Sequence, residues 1–161
     1  MVDEIAVIAK GTSLLTLADG GSLPLPIFLA GVVRVVTQNT GLRVPKLGLG
    51  GGNVFYETVA KNTSPAVALY LALTRKKIFA SDMLYTGLAT HFTPAKNLTT
   101  LLMIVGKAVV CPPPHTHLAV AKSLASLVEY AGPSRLQTLK DEIEKHFQVR
   151  SQLPSYSWRK I

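Results

Sequence analysis

Three groups of residues in this chain could do chemistry. Cys111, His115 and His117 place a thiol and two imidazoles close together, the donor types that zinc takes. Pro112, Pro113 and Pro114 stiffen that loop and no fourth ligand is evident, so it reads as a surface or interface loop and no metal is expected. The glycine-rich run from Leu47 to Gly52 could present backbone amides to an anion. It lacks both the following Lys-Ser/Thr of a phosphate loop and the spacing of a dinucleotide fingerprint, and reads as a tight turn. The third group is cationic: Arg75, Lys76 and Lys77 in one run, Arg34, Arg43 and Lys46 around the β-branched segment, and Arg150, Arg159 and Lys160 near the end. Tyr156 and Trp158 interleave with the last of these, and rings beside cations suit stacking on RNA bases. The expected RNA or partner contacts are therefore Arg75, Lys76, Lys77, Arg150, Tyr156, Trp158, Arg159 and Lys160. No Ser/His/Asp arrangement emerges; His91 reads as a packed or hydrogen-bonded histidine and Glu57 as a surface helix residue.

The elements that must position these groups centre on residues 64–94. Ser64 caps a helix whose first turn accepts Pro65, and Ala66, Leu69, Tyr70 and Leu73 recur at helical spacing as its apolar face. A basic turn follows, then a short helix capped by Ser81 or Asp82 and ended by a left-handed Gly87, then an extended Thr90-His91-Phe92. Upstream, Ile5 to Ala9 reads as a buried strand and residues 12–26 as a loop rich in Gly and Pro. A helix or strand then begins at Ile27–Ala30, Val32–Val36 is a β-branched strand, Thr37–Leu42 is a turn, and Arg43-Val44 is a short strand. Downstream, helices are expected over 95–109, 119–130 and 135–147. The last opens with a Ser134/Gln137 capping box and carries Leu136, Leu139, Ile143 and Phe147 as its stripe.

With 161 residues the chain can bury one core. Its 48% hydrophobic content and mean hydropathy of +0.30 accompany a formal net charge of +8. Excess cation favours RNA, DNA, anionic membrane or acidic partners, and an apolar chain with a basic periphery suits a subunit held in a nucleoprotein particle. A single cysteine excludes an internal disulfide framework and fits a reducing compartment or the mitochondrial matrix. Met1 to Glu4 is acidic, so it resembles neither a signal peptide nor an Arg-rich transit peptide; a matrix protein would need an internal signal, or this chain begins after processing or at a split. The apolar run Leu101–Val110 contains Lys107 and is too short to span a bilayer.

The run LYLALTRKKIFASDMLYTGLATHFTPAKNL closely resembles the enoyl-CoA hydratase/isomerase (crotonase) superfamily. Within that superfamily it is most similar to the 3-hydroxyisobutyryl-CoA hydrolase branch, characterised by FLALTG…G.D…AGIATHFV. Upstream, GVVRVVTQNTGLRVPKLGLGGG is similar to the family's G..RVATE.T.FAMPE..IGL.PD.GG, and SRLQTLKDEIEKHF sits where those hydrolases carry a helix ending in Phe. The likeness covers roughly residues 20–150. It implies an α/β, truncated crotonase-like (ββα superhelix) fold with C-terminal helices: a partial domain over 1–150 and an extended basic, aromatic tail over 151–161.

The resemblance also implies what the site should contain. Hydrolases of this branch need two carboxylates near the thioester and two oxyanion amides. The Glu of the PE motif falls on Lys46, which has no acceptor lone pair, and the Asp of PD.GG falls on Gly52 or Asn53. The second oxyanion turn falls on Gly20-Gly21-Ser22, where Pro24 and Pro26 stiffen the adjoining loop, while the segment supplying the first has no counterpart. Lys46, Gly52, Asn53 and Gly21 thus mark degenerate family-site positions, no cofactor is expected, and catalysis is not expected. The expected function is that of a non-catalytic structural component, similar to the hydrolase-derived protein of the mitochondrial ribosomal small subunit. Its partners would then be mitochondrial ribosomal proteins and rRNA in the matrix. An acyl-CoA hydrolase or hydratase completed by a companion chain is the alternative, and a regulatory subunit capping an active homologue a third.

Overall fold

The computed structural model describes residues 15–20, 25–48, 52–109, 122 and 124–147. The expected strand at Ile5–Ala9, Gly21, the Cys111–His117 loop and the tail with Arg150, Tyr156, Trp158, Arg159 and Lys160 lie outside the described residues. The architecture is α/β. Strand β1 (Leu15–Ala18) pairs in parallel with β2 (Val33–Val36), which pairs in parallel with β5 (His91–Phe92). Between β1 and β2 lies α1 (Leu25–Ala30). A separate antiparallel ribbon joins β3 (Gly41–Arg43) to β4 (Lys77–Phe79). Helices α2 (Gly52–Asn62), α3 (Pro65–Thr74) and α4 (Ala80–Tyr85) fill the interval before β5. After it come a 3₁₀ turn (Ala95–Asn97), α5 (Leu98–Val109), α6 (Arg135–Thr138) and α7 (Lys140–His146). Among the described residues no helix is long and apolar enough to cross a membrane.

Strand β2 is the centre because its β-branched residues are buried on both faces, as a covered parallel sheet requires. Val36 enters the main core with Phe55, Val59, Val67, Leu71, Met83 and Leu88, whereas Val35 faces a second cluster with Leu101 and Leu124. The end of β2 is tied to the end of β1 through threonines. Thr37 Oγ1 donates to Asp19 (2.5 Å), and Thr40 Oγ1 donates to the Ala18 carbonyl (2.6 Å).

Within residues 64–92 the first cap and the Gly87 turn fold as expected, but Lys77–Phe79, read as part of a basic turn leading into a helix, form strand β4 because they pair with β3. Ser64 takes an extended N-cap conformation and accepts from the Val67 N–H, with Pro65 at the first turn. Gly87 is left-handed, with φ of 70°. The buried face of α3 is different, however: Ala66, Val67, Ala68 and Leu71 are inside, while Leu69 is 37% and Leu73 66% exposed. Every position from Ala66 to Leu73 is apolar, so spacing could not choose a side; packing against α2 and α7 chose it. Neither Ser81 nor Asp82 caps α4. Phe79 holds the N-cap position with no side-chain bond, and Asp82 is drawn inward instead.

Three further expectations are corrected. Residues 12–26, read as a loop, contain β1 and the start of α1, because pairing with β2 overrides the local turn signals. The helix expected to reach Tyr130 ends by Ala125, and residues 128–134 run without regular structure. The last helix is broken at Leu139 into α6 and α7; Ser134 does cap it, accepting from the Gln137 N–H at 3.2 Å.

Candidate functional site

Two regions hold the described candidate residues. The first is the β3–α2 connection. Val44 is buried, Lys46 is exposed, and a turn at Leu47-Gly48 follows. Three contacts fix it. The Tyr56 hydroxyl donates to the Pro45 carbonyl (2.8 Å), and the Gly48 N–H donates to Asn53 Oδ1 (3.1 Å). A Cβ on Gly52 would collide with the Lys46 carbonyl oxygen, so only glycine permits that close crossing of the backbone. Burial raises the Tyr56 pKa and the Arg75 charge partly offsets that. Asn53 thus spends its side chain on the turn, Gly52 is buried, and the Lys46 side chain lies in solvent. The sequence holds no carboxylate between Asp19 and Glu57, and Glu57 is exposed on α2. The described groups here can donate hydrogen bonds but offer no acid or base poised between buried walls.

Arg34 anchors the neighbouring corner. Its guanidinium donates to three backbone carbonyls, those of Leu88 (2.7 Å), Gly31 (2.8 Å) and Gly87 (3.0 Å). Burial lowers its pKa from the ordinary guanidinium value. It is therefore a strut between β2 and the α4–β5 turn, not a free cation. His91 is half-buried with Nδ1 2.8 Å from the Thr90 hydroxyl, and burial lowers its pKa. This is the packed histidine expected of it.

The second region lies at the end of α3. Arg75 closes that helix in the left-handed conformation (φ 49°), its N–H donating to the Leu71 carbonyl at 2.9 Å. Lys76 then lies over the Tyr70 ring (5.7 Å to its centroid) and Lys77 over the Phe79 ring (5.4 Å). In β4, Ile78 points into the core while Lys77 and Phe79 point out, the alternation of a half-covered strand. Facing them is α6. Buried Asp82 of α4 accepts from Ser134 Oγ (2.7 Å) and from the Leu136 N–H (3.1 Å), which seats Arg135 on the opposite rim. Together these residues enclose a cleft of about 210 Å³. A recess of about 170 Å³ continues from it along α7, where Tyr70 meets Phe147 edge-on.

The structure thus brings Lys76 and Lys77 together around one cleft and leaves Lys46, Gly52 and Asn53 elsewhere, Lys46 in the exposed β3–α2 connection and Gly52 and Asn53 in the first turn of α2. Tyr70, Phe79, Asp82 and Arg135 were not singled out as site residues by sequence. Phe79 was legible only as an apolar residue beside the basic run, and Arg135 lies too far along the chain for spacing to connect it.

Comparison with known proteins agrees with this architecture. A mitochondrial 3-hydroxyisobutyryl-CoA hydrolase of Dictyostelium discoideum is 33% identical over 89 residues, covering 52% of this chain and 22% of that one. A carnitinyl-CoA dehydratase from Mycobacterium thermoresistibile superposes with a TM-score of 0.69 at 19% identity, covering 91% of this chain and 42% of its own. An enoyl-CoA hydratase from Rhodobacter sphaeroides 2.4.1 gives 0.65 at 18% identity, covering 91% and 40%. The chain therefore spans about a fifth of the hydrolase and about two fifths of the structural relatives. The profile of the enoyl-CoA hydratase/isomerase family matches residues 23–156, and the chain, α/β and crotonase-like in fold, belongs to that family.

Proposed function

We propose that this chain is a non-catalytic, structural member of its family that serves in a nucleoprotein particle, the small subunit of the mitochondrial ribosome. The observation that carries this reading is Lys46. It occupies the position of the PE carboxylate and is exposed, and no Asp or Glu replaces it between Asp19 and Glu57. An ammonium cannot accept the proton that a carboxylate base would take. The net charge of +8 and the exposed cations at the end of α3 supply attraction to a polyanion. The matrix location follows the mitochondrial name of the Dictyostelium relative. Partners are then ribosomal proteins and rRNA, with Arg75, Lys76, Lys77, Arg150, Tyr156, Trp158, Arg159 and Lys160 as contacts and residues 151–161 as a tail. The test has two arms. The purified chain is incubated with 3-hydroxyisobutyryl-CoA while free thiol is followed, and tagged protein from a mitochondrial lysate is sedimented with and without RNase. No thiol release, with small-subunit co-migration lost on RNase treatment, is the expected outcome; turnover by the chain refutes it.

A second reading, an acyl-CoA hydrolase or hydratase completed by a companion chain, is favoured by one observation. Val32, Leu47, Val54, Leu102 and Met103 are all about half exposed or more, while the chain spans only part of its relatives' fold. Such apolar surface calls for cover. Co-purification of a crotonase-like chain with thioesterase activity would establish this reading over the first.

A further inference from the structure

The cleft between the end of α3, β4 and α6 is a candidate for the polyanion contact itself. Its rim carries Lys76 and Lys77 from one element and Arg135 from another some sixty residues away, all three exposed. The ion pairs among the described residues are Lys96–Glu129 and Lys140–Glu144, so none of these three cations is neutralised by a described carboxylate. The acid in the cleft wall, Asp82, is 4% exposed and accepts from Ser134 and Leu136; its carboxylate is turned to holding α6. The remaining polar character of the rim is positive. Two aromatic rings stand among these charges, and Phe79 keeps 42% of its surface open on an outward-facing strand position. Lys77 lies over the Phe79 ring; a solvated ring with a cation on one side, among cations that have no described carboxylate partner, is the combination that holds unpaired nucleotides, with phosphates on the cations and bases on the rings. About 210 Å³ admits a phosphate group or one planar base.

Resting on the nucleoprotein reading above, we propose that this cleft seats single-stranded RNA: Lys76, Lys77 and Arg135 hold the phosphate backbone and Phe79 stacks a base. A protein partner with an acidic segment is the competing occupant. The cations answer a chain of regularly spaced phosphates, and the open ring answers its bases.

The test uses the full chain and a fluorescein-labelled single-stranded oligouridylate, followed by anisotropy over a range of salt. Of the slope of log affinity against log salt, the three phosphate contacts of the cleft should supply about −2, at roughly 0.7 each, on top of what cations outside the cleft contribute. Arg135→Gln and Lys77→Gln should each weaken binding about tenfold at low salt and reduce that slope by about 0.7. Arg135→Lys should recover most of the loss. Phe79→Ala should weaken binding at least about fivefold with the slope unchanged. Circular dichroism confirms that each variant folds, and the Lys rescue separates charge from structure. Glutamine variants that bind like wild type overturn the cleft. Phe79→Ala binding like wild type overturns stacking and with it the RNA assignment. Cleft variants that keep oligonucleotide affinity but lose an acidic protein partner also overturn it. Failure of the proposal is distinguishable from failure of the functional reading: variants that still co-sediment with the particle leave the latter standing.

Discussion

Replacing Asp82 with alanine should loosen one specific joint. Its carboxylate is buried and accepts from Ser134 Oγ at 2.7 Å and from the Leu136 N–H at 3.1 Å. Hydrogen bonds to an ionised group contribute about 1.5–3 kcal/mol each, and stranding their buried donors adds a desolvation cost. Ser134 would keep its role as acceptor for the Gln137 N–H, so one end of the network survives. The expected loss for Asp82→Ala is then about 3–4 kcal/mol, which in a chain of this size lowers the melting temperature by roughly 6–16 °C. Asp82→Asn keeps an acceptor oxygen in the same place and should cost only about 1 kcal/mol, roughly 2–4 °C. Thermal unfolding followed by circular dichroism measures both. Hydrogen exchange adds location, since the amides of residues 134–139 should lose protection first. Equal melting temperatures for wild type and Asp82→Ala would refute the reasoning. So would an asparagine variant as unstable as the alanine one, because that would make bulk and not acceptor geometry the operative factor.

Arg34→Lys leaves a point charge where a fork served three carbonyls; two lose their partner, for about 2 kcal/mol, and a melting temperature within about 1 °C of wild type would contradict this. His91 is protonated less readily when folded than when unfolded, because burial lowers its pKa below 6.5. The stability of the neutral form is complete above that value and is lost as pH falls through the lower folded pKa. Melting temperature should therefore fall more steeply between about pH 7.5 and 5.5 in wild type than in His91→Gln, and parallel profiles would exclude the effect. Arg75 stands in the left-handed conformation at φ 49°, where an L side chain costs about 1 kcal/mol or more. Arg75→Gly should melt slightly higher, by about 0.5 kcal/mol once chain entropy is counted, and Arg75→Val lower; the reverse order in denaturant titration would refute it.

Much of the local structure was legible. Ser64-Pro65, Val33–Val36, Gly87 and Ser134 each carry a signal that acts within a few residues: a cap, a β-branched run, a left-handed turn. Other features were hidden for definite reasons. In α3 an all-apolar run has no periodic contrast, so the exposed positions of Leu69 and Leu73 were fixed only by what α2 and α7 cover. Asp82 reads locally as a helix cap, but its donors come from residues 134 and 136, and tertiary closure outcompeted the local bond.

The family positions divide in the same way. That residue 46 is a lysine is a matter of residue identity, so the sequence alone determined that its charged side chain has no lone pair with which to accept a proton. The family resemblance and the excess of cationic over anionic side chains were likewise readable without coordinates. Which cations face a common space was not. Lys76, Lys77 and Phe79 converge with Arg135 because a buried carboxylate pins α6 against α4. That convergence is a through-space property of distant segments, and no local rule of spacing encodes it.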